Sequence, residues 1–454
     1  MKFKSNTRRR ALEYEKDIAN WWKKNKTFEK SIEQRSIENS YVFYDGPPFI
    51  SGVPHHGTLL SSIVKDAIPR YQTMKGKRVE RVWGWDCHGL PAERYTEKKL
   101  GINSREEVIN YGIEKYIVAC RENMVQTSNL WEETVDRIGR WVDFKGAYKT
   151  MDPEYMESVW WAFKTLYEKG KIYEGERVLM YCTLDATPLS KAEVTMDAGA
   201  YQDVTDPSVF VKFKLVDEDV SLLAWTTTPW TLPANTAIAI NKDFDYSEIE
   251  VNGERLILAS DLIKSVITDE KHQLLNNKVI RTMKGKDLIA REYEPLLGVK
   301  RGNNTNKIWH ADYVTLDSGS GIVHLAPAYG EEDFTLARDK DIEVVHVIDE
   351  NGLYTEGDWI GQNVWDANKP IAKSLLEKGI VWKIDYYRHS YPHCHRCGTR
   401  LMYRAHPSWF MDIDQQRDFM LAKNGDINWF PSHVKNGRFA KNIEQAPDWN
   451  ISRD

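Results

Sequence analysis

Apolar and polar positions divide this chain into a helix-and-strand opening, a β-rich middle and a short return. Leu12, Tyr14, Ile18, Ala19 and Trp22 lie near helical spacing, which predicts an amphipathic helix over residues 8–25. Tyr41 to Tyr44 is an apolar run closed by Asp-Gly-Pro-Pro, the pattern of a buried strand. Leu59, Leu60, Ile63, Val64, Ala67, Ile68 and Tyr71 then recur with helical period. Pro69 falls inside that run, lacks an N–H, and is expected to kink or end the helix early. "RVERVWGWD" after Gly76 predicts a second strand. Strand, glycine-bearing loop, helix and strand make a βαβ unit, the seed of a parallel sheet. Residues 105–175 read as largely helical and rich in tryptophan and tyrosine.

The pattern changes near residue 206. "SVFVKFKLV" alternates with period two, and "LLAWTTTPWTLPANTAIAI", "YSEIEV", "RLILAS" and "GSGIVHLAP" are rich in β-branched residues. Turn signals at short intervals predict a barrel-like body extending to about residue 388. "SYPHCHRCGTRLMYRAHPSWFMDI" then brings back cysteine, arginine and aromatics. The fold class expected is α/β with a β-rich insert, divided as 1–185, 186–389 and 390–454.

Composition narrows the classes. The net charge of −5 excludes a uniformly basic surface, so nucleic acid would bind through local patches. No apolar run approaches about 18 residues and the N-terminus lacks a signal-peptide core, so no membrane partner and a cytoplasmic setting are expected. Five cysteines in 454 residues do not make a disulfide framework.

Three constellations carry chemistry. "GVPHHGTLL" puts His55, Gly57 and Thr58 at a helix N-terminus, where unpaired N–H groups and the helix dipole attract phosphate. An ordinary capped helix with surface histidines fits the same letters. "WTTTPWTLPAN" sets Thr226, Thr227 and Thr228 in a row before Trp230 and Asn235, which reads equally as a threonine-rich strand. "HCHRCG" pairs Cys394 with Cys397, and Cys182 with Asp185 stands in "YCTLDATPL". Zinc accepts three thiolates and a carboxylate oxygen, with His393 or His395 as alternative ligands; the other reading is free thiols.

The stretch "YDGPPFISGVPHHGTLLSSIVKDAIPRYQTMKGKRVERVWGWDCHGLPAE" closely resembles the first signature region of class I aminoacyl-tRNA synthetases, and "GWDCHGLPAE" resembles its isoleucine branch. The resemblance continues through "WTTTPWTLPANTAIAI", "GSGIVHLAPAYGEEDF" and "YRAHPSWF" to "APDWNISRD". It implies the first half of a Rossmann-type catalytic domain with an inserted β-rich editing domain. The implied activity is activation of isoleucine by ATP with magnesium and transfer to tRNA(Ile), with hydrolytic editing of valine. His55, Gly57 and Thr58 would line the ATP site. Gly46 and Pro47 would shape the amino-acid pocket, and Asp86 would hold the substrate ammonium, although Asp86 can instead cap the turn that follows it. Thr226, Thr227, Thr228, Trp230, Asn235, His324 and Asp333 would form the editing site, Asp333 gripping the ammonium of the misattached amino acid. Glu331 and Glu332 read as solvated neighbours. Relatives can carry two C-x-x-C pairs over a structural zinc, and Asp185 replaces one cysteine here.

Thr58 stands where the family's signature has its second histidine. Leu-Ser-Lys in "TPLSKAE" is only faintly like the family's Lys-Met-Ser-Lys-Ser loop, precedes the insert, and receives no catalytic weight. The lysine-rich loop and the anticodon-binding helices are not in this sequence, so it reads as an N-terminal fragment. A free-standing editing deacylase and a non-catalytic tRNA- or zinc-binding module are the competing readings.

Overall fold

A computed structural model describes residues 10–49, 52–102, 105–190, 194, 199–269, 272–298, 301–302, 304–395 and 397–452. The start of the predicted first helix and Lys191 of the Leu-Ser-Lys stretch lie outside them. The chain forms two units, 1–169 and 170–454.

In the first unit α1 (Ala11–Lys24) and α2 (Thr27–Glu33) precede α3 (His56–Met74). β1 (Val82–Trp85) follows, then α4 (Leu90–Leu100), α5 (Arg105–Tyr111) and α6 (Ile113–Arg137). β2 (Asp143–Lys149) and α7 (Pro153–Glu168) complete it. β1 pairs with β2 in parallel, so the region expected to be helical contains a strand. Trp83, Trp85, Cys87, Trp131 and Val135 make the buried cluster beside this pair. Gly84 is required there, because a Cβ would come within 2.2 Å of the Tyr148 ring.

Two expectations fail in this unit. Tyr41–Tyr44 forms no strand: Tyr44 is 92% exposed, and only isolated parallel bridges, Ser40 to Arg78 and Phe49 to Asp86, flank the segment. Pro47 and Pro48 have no N–H for a ladder, so no strand extends through them. Pro69 does not end α3, which runs on to Met74. The Thr73 hydroxyl donates to the Pro69 carbonyl at 2.8 Å and holds the next turn.

The second unit opens with β3 (Ile172–Cys182) and β4 (Thr187–Leu189). β5 (Tyr201–Lys214), β6 (Ser221–Thr226), β7 (Ala237–Ile240), β8 (Asp245–Val251) and β9 (Glu254–Ala259) follow. After α8 (Ile263–Val266) come β10 (Asn277–Lys284), β11 (Ile308–His310) and β12 (Ile322–Leu325). Two helices are set into the β body, α9 (Glu331–Lys340) and α10 (Val364–Glu377). β13 (Val381–Pro392) and β14 (Leu401–Met411) lead to α11 (Arg417–Asn424), α12 (Ala440–Gln445) and β15 (Trp449–Asn450).

The strands form a six-stranded sheet ordered β10-β8-β9-β6-β5-β13, a three-stranded sheet β11-β7-β12, and a four-stranded sheet β15-β14-β3-β4. In β5 the expected alternation holds only near its end. Val209, Val211 and Phe213 enter the main core, while Phe210 enters a second apolar cluster on the other face with Leu223 and Ile249. The sheet is therefore covered on both sides there, and both faces of the strand must be apolar. α10 supplies Val364, Ala367, Ile371 and Leu375 to the main core from one helical stripe.

Candidate functional site

In the first unit His55 is the N-cap of α3, and its Nδ1 accepts from the Gly57 N–H at 3.2 Å. The Thr58 hydroxyl accepts from the His55 N–H at 3.0 Å and donates to the His55 carbonyl at 2.8 Å. Together they close a capping box, so the side chain at 58 is tied to the backbone. Gly57 allows the His55 ring to fold over it, since a Cβ would lie 3.1 Å from that ring.

Gly46 and Pro47 lie on the segment before this helix. Its carbonyl at Pro48 accepts from the Asp86 N–H at 3.0 Å, which brings Gly46, Pro47 and Asp86 to one edge. Asp86 Oδ1 accepts from the His88 N–H at 3.4 Å, the turn-capping alternative. The segment is anchored by residues whose sequence pattern gave no signal. Asp45 is paired with Arg140 and Lys65, Arg140 also donates to the Ser62 hydroxyl at 2.8 Å, and the Trp131 indole donates to the Gly52 carbonyl at 2.7 Å.

In the second unit β6 delivers Thr226, and the chain turns through Thr227 and Thr228 into a 3-10 helix, Pro229–Ala234. Thr226 and Thr228 hydroxyls are 3.1 Å apart. The Thr231 hydroxyl reaches His324 Nε2 at 2.8 Å, joining stretches 93 residues apart. Asn235 closes the other side. Its Nδ2 donates to the Ala237 carbonyl at 2.9 Å and faces His324 Nδ1 at 3.5 Å, while its Oδ1 accepts from the Tyr293 hydroxyl at 2.7 Å. Burial pushes the His324 pKa down to about 4, so the ring is neutral.

Asp333 sits in the first turn of α9, where the helix N-terminus favours a carboxylate. Its Oδ2 accepts from the Ala326 N–H at 3.0 Å, two residues beyond His324. Desolvation nevertheless pushes its pKa up to about 6. The Tyr313 hydroxyl stands near enough to work against that rise but makes no hydrogen bond of ordinary geometry. Tyr313 lines an open cleft of about 1000 Å³ together with Tyr329, Glu331 and Glu332. Trp230 is placed differently from the threonines: it is buried against Tyr329 and Trp365 as a core residue.

The sulfurs of Cys182, Cys394 and Cys397 and a carboxylate oxygen of Asp185 lie within 4.8 Å of one another. Asp185 Oδ2 is 3.4 Å from Cys182 Sγ and 3.2 Å from Cys394 Sγ, and Cys182 is 3.4 Å from Cys397. A tetrahedral zinc with sulfur bonds of about 2.3 Å sets sulfurs about 3.8 Å apart, so this donor set fits the ion in number, chemistry and spread. His393 instead directs Nδ1 at the Tyr391 carbonyl, 2.9 Å away, and neither it nor His395 joins the cluster.

The family model for class I tRNA synthetases (I, L, M and V) matches residues 17–454. The chain belongs to that family. Similar members include the isoleucine–tRNA ligase of Treponema denticola, 41% identical over 97% of this chain and 43% of that protein. The isoleucine–tRNA ligase of Clostridium novyi is 43% identical over 97% of this chain and 42% of that protein. This chain thus spans less than half the length of these synthetases. Its α/β opening and β-rich middle agree with the fold class expected from the sequence. Among the described residues no helix is long and apolar enough to cross a membrane. Thr231, which contacts His324, was passed over by sequence reasoning although it stands in the same "TTTPWT" stretch. Tyr293, in "REYEPLL", carried no signal at all.

Proposed function

We propose that this chain carries the nucleotide- and amino-acid-binding elements and the editing site of an isoleucine–tRNA ligase. Residues 1–185 and 390–454 belong to the catalytic domain and 186–389 to the editing domain. His55, Gly57 and Thr58 line the site for ATP with magnesium, and Gly46, Pro47 and Asp86 the site for isoleucine. The carboxylate of isoleucine attacks the α-phosphate, pyrophosphate leaves, and the aminoacyl group passes to tRNA(Ile). Positioning and stabilisation of developing charge supply the rate. Cys182, Asp185, Cys394 and Cys397 hold zinc as a structural clip.

A second site is needed because isoleucine and valine differ by one methylene. Such a difference is worth about 1–3 kcal/mol in an apolar pocket, a limit for which isoleucine enzymes of this kind are the standard example. The observation that carries the editing reading is the Thr231–His324 contact at 2.8 Å, which brings the two motif stretches together. Thr226, Thr227, Thr228 and Asn235 bind the tRNA end and water, His324 walls the pocket, and Asp333 takes the substrate ammonium through a charge-assisted bond. The test is deacylation by this chain of valyl-tRNA(Ile) beside isoleucyl-tRNA(Ile). Rapid loss of valine alone is expected, and equal hydrolysis of both, or none, overturns the reading.

For the synthetic site, Thr58→His is expected to preserve or raise adenylate formation. ATP–pyrophosphate exchange measures it, in a protein joining this chain to the remaining length of a relative. The substitution removes the hydroxyl that caps His55, so the start of α3 should lose about 1 kcal/mol. A large loss of exchange rate with the fold intact refutes this role for position 58.

A further inference from the structure

The hydrogen-bond chain around His324 can be followed proton by proton. A threonine hydroxyl has one hydrogen. Thr231 lies 2.9 Å from the Thr228 carbonyl, which only accepts, and the Thr231 hydrogen placed there satisfies both groups. Toward His324 Nε2, 2.8 Å away, Thr231 can then only accept, and Nε2 must carry a hydrogen. The opposite side of the ring gives the same answer independently. Asn235 is oriented by the Ala237 and Leu325 carbonyls, at 2.9 and 3.4 Å, which require its amide nitrogen on that side. That nitrogen has two hydrogens, one held by the Ala237 carbonyl and one divided between the Leu325 carbonyl and His324 Nδ1 at 3.5 Å, the long limit of such a bond; facing a nitrogen that only donates, Nδ1 carries no hydrogen. The amide oxygen is left to Tyr293, whose buried hydroxyl donates to it at 2.7 Å.

We propose that Thr231, Asn235 and Tyr293 form a buried positioning chain that locks His324 as its Nε2–H tautomer, making this histidine a fixed wall of the site rather than a proton carrier. Both ring nitrogens are engaged, so neither is available as a general base toward water. Thr231 and Tyr293 thereby become positioning residues: they act through His324 and Asn235. The lock stands on geometry, whereas its importance for hydrolysis rests on the editing reading above.

The test is nitrogen-15 NMR of the full 454-residue chain labelled at histidine, with His324 assigned by loss of its signal in His324→Gln. The expected spectrum has a protonated, pyrrole-like Nε2 and an unprotonated, pyridine-like Nδ1. Asn235→Asp replaces the donor with acceptors only and should put a proton on Nδ1. Thr231→Val removes the acceptor from Nε2 and should mix the tautomers. Tyr293→Phe should loosen Asn235 and lower kcat for valyl-tRNA deacylation about fivefold to tenfold at unchanged KM. A protonated Nδ1 in the parent chain overturns the proposal. So does an unchanged tautomer in both Asn235→Asp and Thr231→Val when either variant is folded. Should the parent fail to deacylate valyl-tRNA, the editing reading falls while the nitrogen spectra still decide the lock.

Discussion

Asp333→Asn is expected to stabilise the second unit at pH 8 while abolishing valyl-tRNA deacylation. The carboxyl pKa stands at about 6, above its ordinary 3.8, because desolvation outweighs the Ala326 N–H bond. A raised carboxyl pKa means that the folded state binds the proton more readily than the unfolded chain. The cost is absent below about pH 4, grows as pH rises toward 6, and is complete above it. A shift of about two units corresponds to about 3 kcal/mol, and part of the residue reaches solvent, so about 1–3 kcal/mol is expected. Asparagine keeps an oxygen for the Ala326 N–H and removes the charge. The readout is hydrogen exchange of the β12 amides, Ile322–Leu325, in parent and variant across pH 5–8, corrected for intrinsic exchange rates. The stability difference should widen with pH and level off above 6. A constant difference would place the carboxylate in water, and full deacylation by the variant, or by Asp333→Ala, would remove Asp333 from the site.

Helix α3 was legible because its apolar period and its glycine-bearing start agree. The strand assigned to Tyr41–Tyr44 was not, because an apolar run does not reveal whether a neighbour can pair along it. Here only the bridges at Ser40 and Phe49 form beside it. Pro69 misled in the opposite direction: the helix runs past it to Met74, with the Thr73 hydroxyl bonded to the Pro69 carbonyl. At the proposed editing site, Thr226–Thr228, Asn235, His324 and Asp333 were singled out only by resemblance to a family. Their spacing alone left a threonine-rich strand equally open. Tyr293 and Arg140 were invisible, since each supports a candidate site segment from far along the chain through buried polar contacts. Such contacts have no sequence period; only the fold brings them together.

Loss of metal should be the largest structural effect available in the second unit. The four donors tie the turn after β3 to the link between β13 and β14, and Asp185 and Cys394 are 209 residues apart in sequence. The Cys182 thiol is pushed far above its ordinary range by its sulfur neighbours and by burial, as expected where anions crowd without a cation. A zinc ion reverses that balance by binding the thiolates directly. At a hundred- to thousand-fold excess over its Kd, such an ion adds about 3–4 kcal/mol to folding. The chain purified without chelator is therefore expected to hold one zinc and to lose thermal stability when the metal is stripped. Cys394→Ser should abolish binding and reproduce the stripped behaviour. Asp185→Cys should retain the metal and tighten it, since the fourth donor becomes a thiolate on the same turn. A zinc-to-protein ratio near zero in the parent, or an unchanged melting transition after chelation, would reduce the cluster to three packed thiols and a carboxylate. Protection of Cys182 and Cys397 from alkylation only when zinc is present would identify the ion as the clip that joins the two segments.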